Sequence, residues 1–476
     1  MSRTALRSFI QRIHFYGGMF VGPFILIAAL TGCLYALAPT LEKFAYRDVM
    51  TVEEVNNPVS LEDQISAAQK EHPDMPVSQV WPAESATDST RVLVADPGID
   101  ESLQRTVFIN PADGEVIGDY PTYSGLGEMP LRRWISSLHE SFHLGQPGEL
   151  YSELAASWLW VLACGGLYMW WIRRRPKKAA APLKKQPQRS KRWKATRLHS
   201  TMGAWIFIGL IGLSATGITW SQLAGENVNS VVEKMNWKAT PVETALATDS
   251  SADGGHDTHA GHEGHGAHGA HGAHGGDAEA AGEAPEPEVI AEQAERVYAT
   301  GRAEGLTGPL RLYAPEDTNS GWKVSERWVE WRYTSDEISV DGSTGEVIDR
   351  LPFSELPLFS KLSSWGIYLH MGIMFGLPLQ IALFALGLAI AAMVVLGYYM
   401  WWKRRPQFAP GSKRHFSWAT TGLGALFAAT VGVFMPLLGI TLAAFLVLDI
   451  IVMNTGKRKA TAPKKKDEDA ELVPVG

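Results

Sequence analysis

The 476-residue chain is 46% apolar, carries a net charge of −7 and has a mean hydropathy of −0.05, totals that resemble a soluble protein until the apolar residues are placed along the chain. The charge averages basic stretches against acidic ones and gives no ground for a nucleic-acid partner. The two cysteines, Cys33 and Cys164, both lie in apolar runs, which argues against a disulfide framework or a thiolate cluster.

In chain order, residues 1–38 hold an apolar stretch (15–38) that opens just after His14, 39–130 a polar module, and 131–172 a short helix before the apolar stretch 150–172. A basic loop (173–198) leads to a third stretch within 199–223, a His-rich linker (224–287), a second module (288–360), and a second short helix and apolar stretch (361–402). A loop (403–416), a last apolar segment (417–453) and a tail (454–476) complete the order. About 20 apolar residues cross a hydrocarbon core about 30 Å thick, so the four longer stretches read as core spans. Pro436 splits the last segment, as a hairpin of two short spans requires. The predicted fold is a membrane α-helical bundle of four core spans plus a C-terminal hairpin, with two small α+β modules outside the cytoplasm.

Within the first module, Ser60 to Glu71 has helical spacing, and strand-like runs at Arg91–Ala95 and Arg105–Asn110 precede the turn Pro111-Ala112-Asp113-Gly114. Asp-Gly between β-prone runs is a strong hairpin signal. The second module repeats the order with a helix over Val289 to Arg302, strands over Trp328 to Tyr333 and Glu337 to Val340, and the turn Asp341-Gly342-Ser343-Thr344-Gly345. Each module therefore reads as a separate α+β unit.

Arg173 to Arg197 holds twelve Lys/Arg and no acid, and 403–415 adds five. With Arg3, Arg7, Arg12 and the basic tail, these segments are assigned to the cytoplasm, both termini included. Thr31-Gly32-Cys33 resembles a lipoprotein processing site, but Thr216-Gly217 recurs deep in the chain where no such signal operates, so the first span is read as uncleaved.

That recurrence belongs to a two-fold internal repeat. Residues 107–171 align without a gap on 338–402: Gly114-Glu115-Val116-Ile117 on Gly345-Glu346-Val347-Ile348, Trp134 on Trp365, His139 on His370, Tyr168 to Trp171 on Tyr399 to Trp402. One helix earlier, Arg12, His14, Gly18, Thr31 and Gly32 recur as Arg197, His199, Gly203, Thr216 and Gly217. An imidazole at the edge of a lipid-embedded helix is a functional candidate by default. Two repeat-related pairs point to two cofactors held between helices.

The order of a His-led span, an α+β unit ending in a GEV-type turn, and a span reading LHxxxxLGxPGxL…GLYxWW, carried by Leu138 to Trp171, resembles the PepSY-associated transmembrane family over residues 1 to about 405. The members most similar in function look like bacterial inner-membrane ferric-siderophore reductases, which hold haem b between histidines of the spans. The resemblance thus implies two bis-His b haems. Depth pairs His14 with His199 on the cytoplasmic side and His139 with His370 on the periplasmic side. Arg12 and Arg197 are candidates for haem propionates or positive-inside anchors; Gly17, Gly18, Gly22 and Gly203 clear space for a macrocycle or for helix packing. His143, one turn after His139, is a rival ligand, and its repeat partner is Met374. From His139 to Trp171 a single helix would run about 48 Å, so the Gly145–Pro147 and Gly376–Pro378 breaks are expected to separate a surface helix from each span.

His256, His259, His262, His265, His268, His271 and His274 recur every third residue among Gly, Ala and Asp, a composition suited to a solvated linker or to loose capture of a transition metal. The expected function is transmembrane electron transfer, from an unidentified donor through two haems to an extracytoplasmic ferric chelate or siderophore. A haem-free scaffold, a peptidase-regulating or metal-binding module, and a metal transporter are the competing classes. The near absence of charged residues within the spans disfavours the transporter.

Overall fold

The computed structural model describes residues 3–174, 191–246, 284–404 and 418–461; the histidine tract at 256–274 lies outside the described residues. The chain forms two compact units: Met1–Leu26 with Glu153–Ser214 and Ala391–Gly476, and Ile27–Ser152 with Ala215–Ile390. The elements begin with α1 (Arg3–Phe20), α2 (Gly22–Ala45), α3 (Arg47–Met50) and α4 (Leu61–Glu71), followed by β1 (Val77–Trp81), β2 (Thr90–Val94), β3 (Leu103–Ile109) and β4 (Val116–Tyr123). Helices α5 (Pro130–Ser141), α6 (Gln146–Arg174), α7 (Lys191–Trp205), α8 (Phe207–Thr219), α9 (Gln222–Lys234) and α10 (Pro287–Ala303) come next. Strands β5 (Leu310–Tyr313), β6 (Trp322–Glu326), β7 (Glu337–Val340) and β8 (Val347–Leu351) precede α11 (Leu358–His370), α12 (Gly376–Arg404), α13 (Trp418–Phe434) and α14 (Pro436–Thr461).

Among the described residues, α2, α6 and α12 are each long and apolar enough to cross a membrane, and α7 with α8 qualify together as one span bent by 63°. The expected first span over 15–38 is not one helix. The chain turns at Val21 and restarts at Gly22-Pro23, where proline lacks the amide a continuous helix would need. His14 therefore stands on α1, ahead of the apolar helix. The breaks expected near Gly145 and Gly376 are present: both glycines adopt positive φ, 59° and 55°, between the short helix and the long one.

In the first unit, α13 and α14 break at Met435–Pro436 and approach so closely that a Cβ on Gly439 would lie 2.4 Å from the Gly432 Cα. Small residues permit this kind of packing in lipid. Trp158 is fully buried and donates from Nε1 to Thr441 Oγ1 at 2.8 Å. Arg12 and Asp449, both fully buried, pair at 2.7 Å, with the Tyr16 hydroxyl 3.1 Å from the same carboxylate oxygen. Asp449 is the one charged residue of the apolar stretch 437–453, and Arg12 meets it there.

In the second unit the two modules are not separate. Their strands form one eight-stranded antiparallel sheet, ordered β4-β3-β2-β1-β5-β6-β7-β8. The seam is β1 with β5, where Gln79 pairs with Tyr313 and Val80 with Leu312. One expected strand is not formed. Trp328 to Tyr333 is not a strand; its aromatic rings dock instead, Trp328 stacking on Tyr368 at 4.5 Å, and Trp331 turns into positive φ. The strands at Val77–Trp81 and Leu310–Tyr313 were not anticipated, although they make the seam.

Alternation assigns the two faces of the sheet. Val80, Val92, Val94, Val107, Leu310, Leu312 and Val324 point to one face and form a core with Ile65 of α4 and Ala294 and Val297 of α10. A fully buried Val or Leu contributes roughly 1.5–3 kcal/mol, so Val80 and Leu312 alone bind the modules firmly. The hairpin turns are alike: Asn110 N–H donates to the Glu115 carbonyl at 2.8 Å and Asp341 N–H to the Glu346 carbonyl at 2.9 Å, with Gly114 and Gly345 at φ 76° and 80°.

Candidate functional site

The first histidine pair lies in the first unit. His14 on α1 and His199 on α7 face each other with ring centres 6.4 Å apart and planes at 90°. His199 Nδ1 lies 3.0 Å from the Met393 carbonyl of α12, so Nδ1–H donates to it and the Nε2 lone pair is left free. His14 Nδ1 is buried without a well-formed hydrogen bond, the Leu162 carbonyl being the backbone group that acts on it. Beside its ring run Gly165 and Gly166 of α6, where added Cβ atoms would lie 3.6 Å from Nδ1 and 3.4 Å from Cε1. This Gly-Gly step was visible in the sequence, but no pattern tied it to His14.

The second pair lies in the second unit, at the ends of α5 and α11. His139 and His370 have ring centres 6.3 Å apart. Tyr35 stacks on His139 at 5.6 Å, and Trp220 meets the His370 ring edge-on at 5.3 Å. Each ring is held at Nδ1 by a threonine: Thr31 Oγ1 is 3.1 Å from His139, Thr216 Oγ1 2.6 Å from His370. The Thr31 hydroxyl donates to the Ile27 and Ala28 carbonyls, so it accepts from Nδ1–H, which fixes the His139 tautomer with Nε2 unprotonated. Burial keeps both rings, which lie on helices that precede the spans, neutral: it lowers the His139 pKa and brings His370 down to about 3, with His139 adding to the effect.

The threonines are repeat partners, as are the histidines they hold. That was the signal for them in the sequence; without coordinates nothing showed which ring Thr31 or Thr216 would reach. Gly32 is similarly placed, since a Cβ there would lie 3.1 Å from His139 Cε1.

The remaining candidates separate. His143 does not continue the His139 helix face: α5 ends at Ser141, Phe142 and His143 take positive φ, and the exposed His143 ring packs on Trp134 at 5.0 Å. Arg12 uses Nε on Asp449, while its Nη1 and Nη2 are buried with no hydrogen-bond partner among the described residues. Arg197 is exposed and lies over the Trp193 ring at 5.6 Å. Of the glycines, Gly17 packs on Trp158 and Leu162, Gly22 on Val394 and Tyr398, and Gly203 on Met393, so these three serve helix contacts; Gly18 has open space beside it. Unanticipated was a buried group of Glu42, Glu128 and Arg132 next to Tyr35, with Arg132 3.1 Å from Glu128 and Glu42 accepting from the Met129 amide at 2.7 Å.

No curated protein matches the chain. The family model for the PepSY-associated TM region matches residues 11–404, which takes in all four paired histidines, both sheet halves and, among the described residues, each helix long and apolar enough to span. The chain is a membrane protein and belongs to the PepSY-associated transmembrane family.

Proposed function

We propose that this chain is a di-haem b electron-transfer protein of the bacterial inner membrane that reduces an extracytoplasmic ferric chelate. The observation that carries the reading is a spacing. An imidazole nitrogen lies about 1.1 Å from its ring centre and about 2.0 Å from a first-row metal it ligates, so two rings sharing one metal from opposite sides stand about 6.2 Å apart between centres. The two pairs stand at 6.4 Å and 6.3 Å.

The chemistry of the donors agrees. Among the described residues no group of three or more His, Cys, Asp or Glu is placed to hold a metal ion. Two neutral imidazoles are a poor bare-metal site, but they are the residues that would hold a porphyrin iron. Three of the four rings are oriented through Nδ1, by Met393, Thr31 and Thr216, as ligating histidines are oriented by outer partners. The buried, unpartnered Nη atoms of Arg12, two residues before His14, suit a propionate carboxylate.

His14 and His199 would hold one haem and His139 and His370 the other, and the bound haems would supply one-electron redox chemistry. The chain orients three of the rings through Nδ1, and those contacts would tune the potentials of bound haems. The basic loops, read by the positive-inside rule, support a cytoplasmic side for the first pair and an outer side for the second pair and the sheet. Helices α2, α6 and α12, the bent α7–α8 pair and the α13–α14 break support a reading of four core spans plus a C-terminal hairpin. Each electron delivered converts one Fe(III) to Fe(II), which hard oxygen chelators hold less tightly.

Anaerobic mixing of dithionite-reduced, desalted protein with a ferric chelate, with released Fe(II) trapped by a chromogenic chelator, tests the activity. Reoxidation of the protein in step with Fe(II) appearance is expected, and its loss in His370→Ala. A wild type that stays reduced and yields no Fe(II) with any ferric chelate tried overturns the reading.

A further inference from the structure

The face of the sheet opposite α4 and α10 carries a concentration of positive charge that neither the haem ligands nor the core uses. Trp81, nearly fully buried on β1, is its floor. Arg311 and Arg327 each lie 4.4 Å from the Trp81 ring centre and Arg91 lies 5.4 Å from it. Alternation brings them together: Trp81 pairs across the strands with Arg91, and Arg311 and Arg327 sit out of phase with the core residues Leu310, Leu312 and Val324. Tyr313, whose hydroxyl accepts from Arg311 Nη1 at 2.8 Å, and Lys323, 4.0 Å over the Tyr313 ring, extend the patch.

Three guanidiniums on one indole are costly unless something compensates them. Glu84 and Asp88 act on Arg327, and Glu42 and Asp88 on Arg91, but Glu84 is engaged by Arg302 and the Leu310 amide, and Glu42 by Arg132 and Met129. None of the three arginines forms an ion pair among the described residues, and the Arg311 Nε is buried with no hydrogen-bond partner. Burial first, and then the neighbouring Arg91 and Arg311, bring the Arg327 pKa down to about 9. The patch also adjoins the second histidine pair. Trp328, next to Arg327, stacks on Tyr368, on which Arg311 also acts, and Tyr368 precedes His370 by two residues.

We infer that Arg91, Arg311 and Arg327 on the Trp81 floor form a binding site for a multiply charged oxyanion, the carboxylate-bearing face of an anionic ferric chelate. Planar guanidinium forks match carboxylate oxygens two at a time, and the flat indole beneath keeps water from them. The assignment of iron as the cargo rests on the proposed function; the anion site itself does not.

Equilibrium dialysis of the full chain in neutral detergent tests it, with radiolabelled ferric citrate, iron-free citrate, inorganic phosphate and an uncharged ferric trihydroxamate as probes. Saturable binding of ferric citrate is expected, weakening as salt rises, and falling at least about tenfold in Arg311→Gln and in Arg327→Gln, with the uncharged chelate unaffected by either. Arg327→Lys, which keeps the charge but loses the fork, is expected to fall between. Should the glutamine variants fail to fold, ligand-induced melting shifts of the wild type replace them: a shift with ferric citrate and none with the uncharged chelate supports the site. Unchanged affinity in folded Arg311→Gln, or no saturable binding of any anion by the wild type, overturns it. Pigmented protein that binds no anion removes this inference and leaves the proposed function; colourless protein with arginine-dependent citrate binding does the reverse.

Discussion

Replacing Thr216 by valine removes one hydroxyl while keeping the shape of the side chain, and it isolates what that hydroxyl does for His370. The contact is short, 2.6 Å, and is made at His370 Nδ1, which in a neutral imidazole bound to a metal through Nε2 would carry the proton and donate it to the hydroxyl. Donation from Nδ1–H makes an imidazole a stronger electron donor through Nε2. With haem bound there, its loss is expected to weaken the ligand, favour the reduced iron and raise the potential of the proposed second centre. One neutral hydrogen bond is worth about 1 kcal/mol, which for a one-electron couple is about 40 mV. Thr31→Val is expected to move the same centre in the same direction by less, because its contact is longer at 3.1 Å. An optical redox titration of the purified variants resolves this, since the first pair, oriented by Met393, serves as the internal reference. A shift confined to one of two waves is the predicted result. Equal movement of both waves, or of neither, refutes the assignment of Thr216 to His370.

Asp449→Leu leaves the Arg12 guanidinium buried without its partner and is expected to destabilise the protein by about 3–5 kcal/mol, while Arg12→Met with Asp449→Leu restores most of it; thermal melting of both in detergent measures the difference. Gly32→Ala places a Cβ 3.1 Å from His139 Cε1 and is expected to perturb only the second centre, whereas Gly18→Ala, which meets nothing within 4 Å, leaves both spectra unchanged. His143→Ala retains both optical signals and His139→Ala loses one, because the ring facing His370 is that of His139.

The helices, the hairpin turns and the paired histidines were legible because each has a local signature: an apolar run, an Asp-Gly or Gly-Ser-Thr-Gly turn, an imidazole recurring at a fixed offset. The α10 helix and β7 fall where the sequence placed them. What was not legible depends on partners far apart in the chain. Val77–Trp81 and Leu310–Tyr313 are short and carry polar residues on one face, so they read as loop until each supplies the other's edge. Asp449 looks like an isolated charge in an apolar helix until Arg12, more than four hundred residues earlier, meets it. His143 was misplaced by extending a helical face through Phe142, where the backbone has already turned left-handed.

Haem content tests the central claim most directly. A pyridine haemochrome assay of the purified chain, set against protein concentration, is predicted to give two b-type haems per chain, low-spin in both oxidation states. His14→Ala and His199→Ala each remove one signal, and His139→Ala and His370→Ala each remove the other. A colourless wild type, or a signal that survives loss of both members of a pair, contradicts the account.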